Sequence, residues 1–409
     1  MRSASWIIYK VFIIFLMMTS FHAWMFWGLV NNLMFWMVAV VVSFVLFLWN
    51  RRHFNMLNQR RNIVWFILLQ VTLLLSRGDL NFFGVLGIMI PTWSVFSVFL
   101  LKDESKDNLF ETAYIVLAVV LTVSLIAWVL FLSGVQFPYT MEPYGDDDLY
   151  YFENYRFFLR NTTMGSGLGI PRFSSIFLEP GYLGCMISLL LYARHYKMDF
   201  WGVIMMICQF ATFSLAGWLT TLIGFVAYKS FHSRRPALVV GSVAAVVLII
   251  WGAAKTVNQG DNVVNLLVIE RLTFDSDRGT IAGYDRSDEG TDYWFWNNFV
   301  KSPDVMFGST SQADNLKIND NDWKAYIVKN GIVGLASFLL FAFYPVLSTP
   351  RRRKDERKML LVLAVLYVLI FAQTIHMIFS AMYISLVVLG DSAARNNYQK
   401  QILKTNKEK

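Results

Sequence analysis

Long apolar runs separated by short basic segments set the plan of this chain. Behind Arg2 and Lys10 an apolar stretch reaches Asn50, about twice the roughly 20 residues that one helix needs to cross a bilayer. It reads as a helical hairpin whose turn lies between His22 and Asn32, among Trp24 and Trp27, residues suited to a membrane interface. No small-residue cleavage site is followed by a hydrophilic start, so the run is expected to be a first span and not a removed signal peptide. Further spans are expected over Ile63–Ser76, Phe82–Leu101, Leu109–Ser133, Tyr182–Tyr192, Ala237–Ala253 and Trp323–Val346. Lys102–Asn108 is expected to be a loop.

Two longer runs are ambiguous in length, and charge decides them. If Phe200–Tyr228 were a single span, the cluster Arg351-Arg352-Arg353-Lys354 would fall outside. Two spans, broken at Ser214-Leu-Ala-Gly217, return Lys229, Arg234 and Arg235 to the inside. The same reasoning divides Met359–Leu389 near His376. The pattern predicts an all-α integral membrane protein, one polytopic domain over residues 1–409 with about 12 spans and both termini inside. Lys and Arg concentrate in the inward segments. Two long segments, Gly134–Ile176 and Lys255–Asp322, face outward.

Composition agrees. A chain of 409 residues that is 56% hydrophobic and 16% charged is too apolar for a soluble domain. Net charge of +8 could suggest nucleic acid, but the basic residues mark inward loops, so no nucleic-acid partner is expected. Cys185 and Cys208 both lie in apolar runs and read as packing residues.

Candidate chemistry gathers where the outward segments meet helices. At Arg172-Phe-Ser-Ser-Ile-Phe-Leu-Glu-Pro-Gly-Tyr-Leu-Gly184 an arginine and a carboxylate, Glu179, reach the mouth of a helix, and Pro180 suits its first turn. An ion pair pinning the helix end would explain the same residues. In the first segment Arg156 and Arg160 are four apart and would share one face of an amphipathic helix lying along the membrane surface. The second segment carries Arg271, Arg278 and Arg286, the aromatic run Tyr293-Trp-Phe-Trp296, and Asn319-Asp320-Asn321-Asp322 just before a helix. Arginines in two loops on one side suggest an anion, since guanidinium offers a fork of donors matched to phosphate. Asp320-Asn-Asp322 fits a helix N-cap, a carboxylate pair for a divalent metal, or a general base. With arginines to supply positive charge, no metal or other cofactor is expected.

The Arg172–Gly184 stretch resembles the Arg-x-Ser-x-x-Phe-x-Glu-Pro-Gly element of the bacterial O-antigen and capsule polymerases (Wzy type) and the related O-antigen ligases. Asp320-Asn-Asp-Trp323 followed by Gly331-Ile-Val-Gly-Leu335 is similar to the element that closes the other family loop. Ligases commonly carry a histidine where this chain has Asp320, which favours a polymerase.

The resemblance implies a GT-C-like, lipid-dependent glycosyltransferase of the bacterial inner membrane with a periplasmic active site. Its partners would be the bilayer, an undecaprenyl-diphosphate-linked glycan and a chain-length regulator. The growing glycan would pass to a sugar hydroxyl of another lipid-linked unit. The catalytic set it implies is Asp320 as base, Arg172 and Arg286 on the diphosphate, and Glu179 orienting an arginine. Arg278, Arg156, Arg160, Asn321, Asp322 and Tyr182 are expected to contact substrate. Transfer to lipid A core, or flipping of a lipid-linked glycan, are the rival expectations. A transporter would favour ionisable groups buried in mid-span and similarity between its halves, neither of which is clear here.

Overall fold

A computed structural model describes residues 4–55, 60–75, 82–144, 150–162, 171–262, 264–275, 280–281, 289–309, 311, 323–374 and 377–407. The apolar runs become helices. α1 (Ala4–Ser20) and α3 (Leu33–Trp49) make the first hairpin, with the short α2 (Trp27–Val30) in the turn. Asn32 caps α3 by accepting the Phe35 amide at 3.2 Å. After α4 (Arg60–Leu75), the next run breaks at Val95 into α5 (Phe82–Ser94) and α6 (Phe96–Leu100). Pro91 lies inside α5 and has no N–H to continue the ladder, and local hydroxyls take up carbonyls around it. Ser94 Oγ donates to the Pro91 carbonyl at 2.6 Å and Thr92 Oγ1 to the Met89 carbonyl at 2.8 Å.

α7 spans Asp103–Leu132, so the loop expected over Lys102–Asn108 is instead largely the first turns of a helix. Asp103 and Glu104 in its first turn complement the helix dipole. α8 (Pro180–Ala193) is followed by α9 (Phe200–Ala211) and α10 (Leu215–His232). The long apolar run thus breaks at 212–214, where the Ser214 side chain caps α10 by accepting the Gly217 amide at 3.2 Å. α8 and α10 cross backbone to backbone, for a Cβ on Gly217 would stand 2.8 Å from the Gly184 Cα.

Next come α11 (Pro236–Thr256), the single turn α12 (Glu270–Leu272), α13 (Glu289–Asn297) and α14 (Trp323–Ser348). The last run divides into α15 (Lys354–Phe371) and α16 (Ala381–Lys407). α14 is interrupted at Gly331, whose φ of 67° belongs to the left-handed region that suits glycine. There the Phe307–Gly308 strand of chain lies directly on the Lys329–Gly331 backbone, and Val333 N donates to the Met306 carbonyl at 3.0 Å.

By length and apolar content three helices can each cross a membrane: Asp103–Leu132, Pro236–Gly260 and Trp323–Ser348. The bent pair at the start of the chain would make a fourth, and Leu33–Trp49, Pro180–Ala193 and Phe200–Ala211 are shorter apolar helices. The architecture is that of a helical protein suited to a membrane.

The first outward segment departs from expectation. Instead of an amphipathic helix carrying Arg156 and Arg160 on one face, it forms a three-stranded antiparallel sheet, β1 (Thr140–Tyr144), β2 (Tyr150–Asn154) and β3 (Leu159–Asn161). Register runs from Thr140 opposite Asn154 to Tyr144 opposite Tyr150, and Glu153 faces Arg160. Aromatic Tyr150, Tyr151 and Phe152 favour a pleated strand. The Asn154 side chain accepts the Arg156 amide at 2.8 Å and holds Arg156 at a φ of 68°, which a helix forbids. In the second segment β4 (Phe274–Asp275) pairs with β5 (Thr280–Ile281).

Where the basic loops converge, charged side chains are buried in pairs. Asp391 of α16 accepts Arg61 of α4 at 3.1 Å and also pairs with Arg395, which reaches Glu356 of α15 at 3.5 Å. Nearby, Arg194 binds Asp199 at 3.1 Å and Glu111 at 3.2 Å.

Candidate functional site

The opposite end holds a strap, residues 171–179, that enters α8. Phe173–Leu178 are all buried, and each edge of the strap is fastened to a different element. Leu159 N of β3 donates to the Ser175 carbonyl at 2.8 Å and Trp24 N to the Ile176 carbonyl at 3.0 Å. Ser174 Oγ returns a bond to the Leu159 carbonyl at 3.1 Å, and Ser175 Oγ reaches Ser124 of α7 at 2.8 Å. Phe173 N donates to Ala211, the last residue of α9, at 3.0 Å. Ser175 sits at a φ of 55°, a conformation non-glycine residues keep only where surroundings impose it.

Arg172 and Glu179, both only partly exposed, bracket the buried strap and form a half-buried recess with it, Glu179 standing where the strap enters α8.

Arg172 is half-buried and donates through Nε to the Thr212 carbonyl at 3.2 Å, in the break between α9 and α10. Burial pushes its pKa down to about 10; the positive charge of Arg271 in α12 acts in the same direction, and the Glu179 carboxylate opposes them. The charges of Arg271 and Glu179 thus both reach Arg172. Glu179 is the N-cap residue of α8 without making a side-chain capping bond there, and Pro180 takes the first helical position.

Glu179 also acts on Tyr144 at the end of β1. The Tyr144 hydroxyl is pushed up to about 12 by burial first and by the Glu179 charge second. That hydroxyl is hydrogen-bonded to Nδ1 of His22, just past α1, where the backbone has a φ of 55°. Trp27 packs on the Tyr144 ring at 4.7 Å and donates its Nε1 to the His22 carbonyl at 2.8 Å.

The expected residues are therefore partly assembled. Arg172 and Glu179 share the recess. Tyr182 is buried in the first turn of α8, where its carbonyl accepts Tyr383 Oη at 3.1 Å and its ring packs edge-on to Phe21 at 6.5 Å. Arg156 lies at the turn of the sheet, its carbonyl accepting Trp24 Nε1 at 3.1 Å. Arg160 is bound to Glu153 at 3.0 Å, on an oxygen that also takes the Tyr155 hydroxyl at 2.7 Å. Arg278, Arg286, Asp320, Asn321 and Asp322 lie outside the described residues.

Three residues of the recess were not singled out by sequence alone. Arg271 was one of several arginines with nothing to rank it. His22 stood at the end of a span, and Tyr144 beside the acidic run Asp146–Asp148, which drew attention to solvated charge instead. No family model, curated protein or solved structure matches this chain.

Proposed function

We propose that this chain is a bacterial inner-membrane polymerase of polyprenyl-diphosphate-linked oligosaccharide repeat units, built on about 12 spans and working on the periplasmic face. The observation that supports the reading is that the half-buried Arg172, at the start of the strap, feels the positive charge of Arg271 from the other outward segment as well as the carboxylate of Glu179. Two like charges held together repel, and an anion between them relieves the repulsion. At a membrane surface, the anion that would also bring a reactive anomeric carbon is a lipid diphosphate.

In this reading a sugar hydroxyl of one lipid-linked unit attacks the anomeric carbon of the other. A new glycosidic C–O bond forms, the bond to the diphosphate breaks, and its electron pair goes to the departing oxygen. Arg172 and Arg271 stabilise that charge, as preorganised donors do in other group transfers. Asp320 accepts the hydroxyl proton. Glu179 orients Arg172, and the polyprenyl chain remains in lipid.

The test is polymerisation of lipid-linked repeat units by the purified protein in nanodiscs. Arg172→Lys and Arg271→Lys are expected to lose about 10²- to 10³-fold in turnover while the protein stays folded, because a point charge does not reproduce forked phosphate binding. Near-parental glycan ladders from both variants at matched amounts would overturn the assignment.

A further inference from the structure

α11 is an unusual member of the bundle. It is a helix of 21 residues in which only Ala254 is buried, and its principal helix neighbour is α10. At the basic end α10 and α11 do not close on each other. A cleft of about 550 Å³ opens between them, lined by Lys229, Arg234 and Arg235 at its mouth and by Phe225, Leu238 and Val239 along its walls.

The charges at this mouth differ from those of the neighbouring clusters. Arg61, Arg194 and Arg395 each meet a carboxylate. Among the described residues no carboxylate pairs with Lys229, Arg234 or Arg235, although Lys229 Nζ lies over the Phe225 ring at 5.6 Å. The Arg235 amide is fixed by Ser233 Oγ at 3.0 Å, so the turn that carries both arginines is held in place. A ligand that fits must be anionic at one end and apolar along the rest. It must also be at hand where α11 exposes Leu238, Val240, Val246 and Leu248.

We propose that the cleft between α10 and α11 is a binding site for an anionic phospholipid. Its phosphodiester sits on Lys229, Arg234 and Arg235, and an acyl chain lies between the helices against Phe225, Leu238 and Val239. Charge complementarity selects the head group: basic pockets between membrane helices take anionic lipids. The lipid completes the contact between α11 and the bundle that side chains leave open.

The full-length protein is extracted and exchanged into a neutral detergent, and retained lipid is measured by native mass spectrometry. Melting is then followed in phosphatidylcholine nanodiscs with and without phosphatidylglycerol. The parent is expected to retain phosphatidylglycerol and to melt higher in its presence. The triple variant Lys229→Gln/Arg234→Gln/Arg235→Gln should retain at least about tenfold less and show no such shift, while melting like the parent in phosphatidylcholine. A control, Arg351→Gln/Arg352→Gln/Lys354→Gln, removes exposed charge from the same end of the bundle outside the cleft and should behave as the parent. Full retention by the triple variant would overturn the proposal. So would equal loss in the control, which reports surface charge alone, or an equal melting shift from inorganic phosphate, which reports a site for free anions. None of these readouts depends on the glycan reaction.

Discussion

The two ends of the bundle treat buried charge in opposite ways. At the basic end, Asp391 is nearly inaccessible and answers both Arg61 and Arg395, with Glu356 behind them. At the sheet end, Arg172 is set against a second cation, Arg271, with Glu179 the carboxylate acting on it. Burial costs a charge several kcal/mol unless something compensates it. The first cluster supplies its own compensation and ties α4, α15 and α16 together. The second sets one cation against another with Glu179 opposing them, an imbalance that the proposed anionic ligand would offset.

The comparison can be broken at several points. The largest effect is expected from Asp391→Ala, which strands two arginines and should cost about 3–5 kcal/mol of stability, measured by unfolding in detergent. Replacing all four members by apolar residues, Arg61→Met with Asp391→Leu, Arg395→Met and Glu356→Leu, should restore most of it. A loss below about 1 kcal/mol for Asp391→Ala would mean that the cluster is solvated and not a tie.

A somewhat smaller effect should come from filling the other end. A polyprenyl diphosphate at about 100 times its Kd should stabilise the parent by roughly 2.7 kcal/mol, seen as a rise in Tm. Arg271→Ala should abolish most of that rise, since one half of the cationic pair is gone. If Arg271→Ala responds as the parent does, the two arginines do not share a ligand.

The smallest effect is expected at Tyr144→Phe. It removes the hydroxyl hydrogen-bonded to His22, a neutral hydrogen bond contributing about 1 kcal/mol, so the melting shift should be slight and turnover should fall by less than about tenfold. A loss of about 10²-fold or more at unchanged stability would move Tyr144 and His22 from positioning the recess into the proton transfer itself.

Part of this was legible in the chain. Arg172 and Glu179 stood out because a proline and a glycine follow the carboxylate at the start of an apolar run, a local signal that needs no tertiary contact. The break at Ser214 was marked by charge balance and is made by a local cap. Arg156 and Arg160 were misread because spacing of four is as compatible with a turn between strands as with a helix. The Asn154 side chain settles that choice by bonding the Arg156 amide. Glu153 on the adjacent strand then absorbs the Arg160 charge, a pairing that depends on sheet register.

What the sequence alone determined is which apolar runs become helices. A helix satisfies its own backbone, so most of them are recorded each in its own run of residues. Only the tertiary structure decided which charges meet. Arg172 and Arg271 lie in separate outward segments, and Arg61 lies in the first quarter of a chain whose Asp391 stands near its end. Coulomb interaction falls with distance through space, which composition and spacing do not encode. The same is true of the cleft beside α11, whose apolar residues could have packed on any neighbour but were left with α10 alone as their principal helix contact.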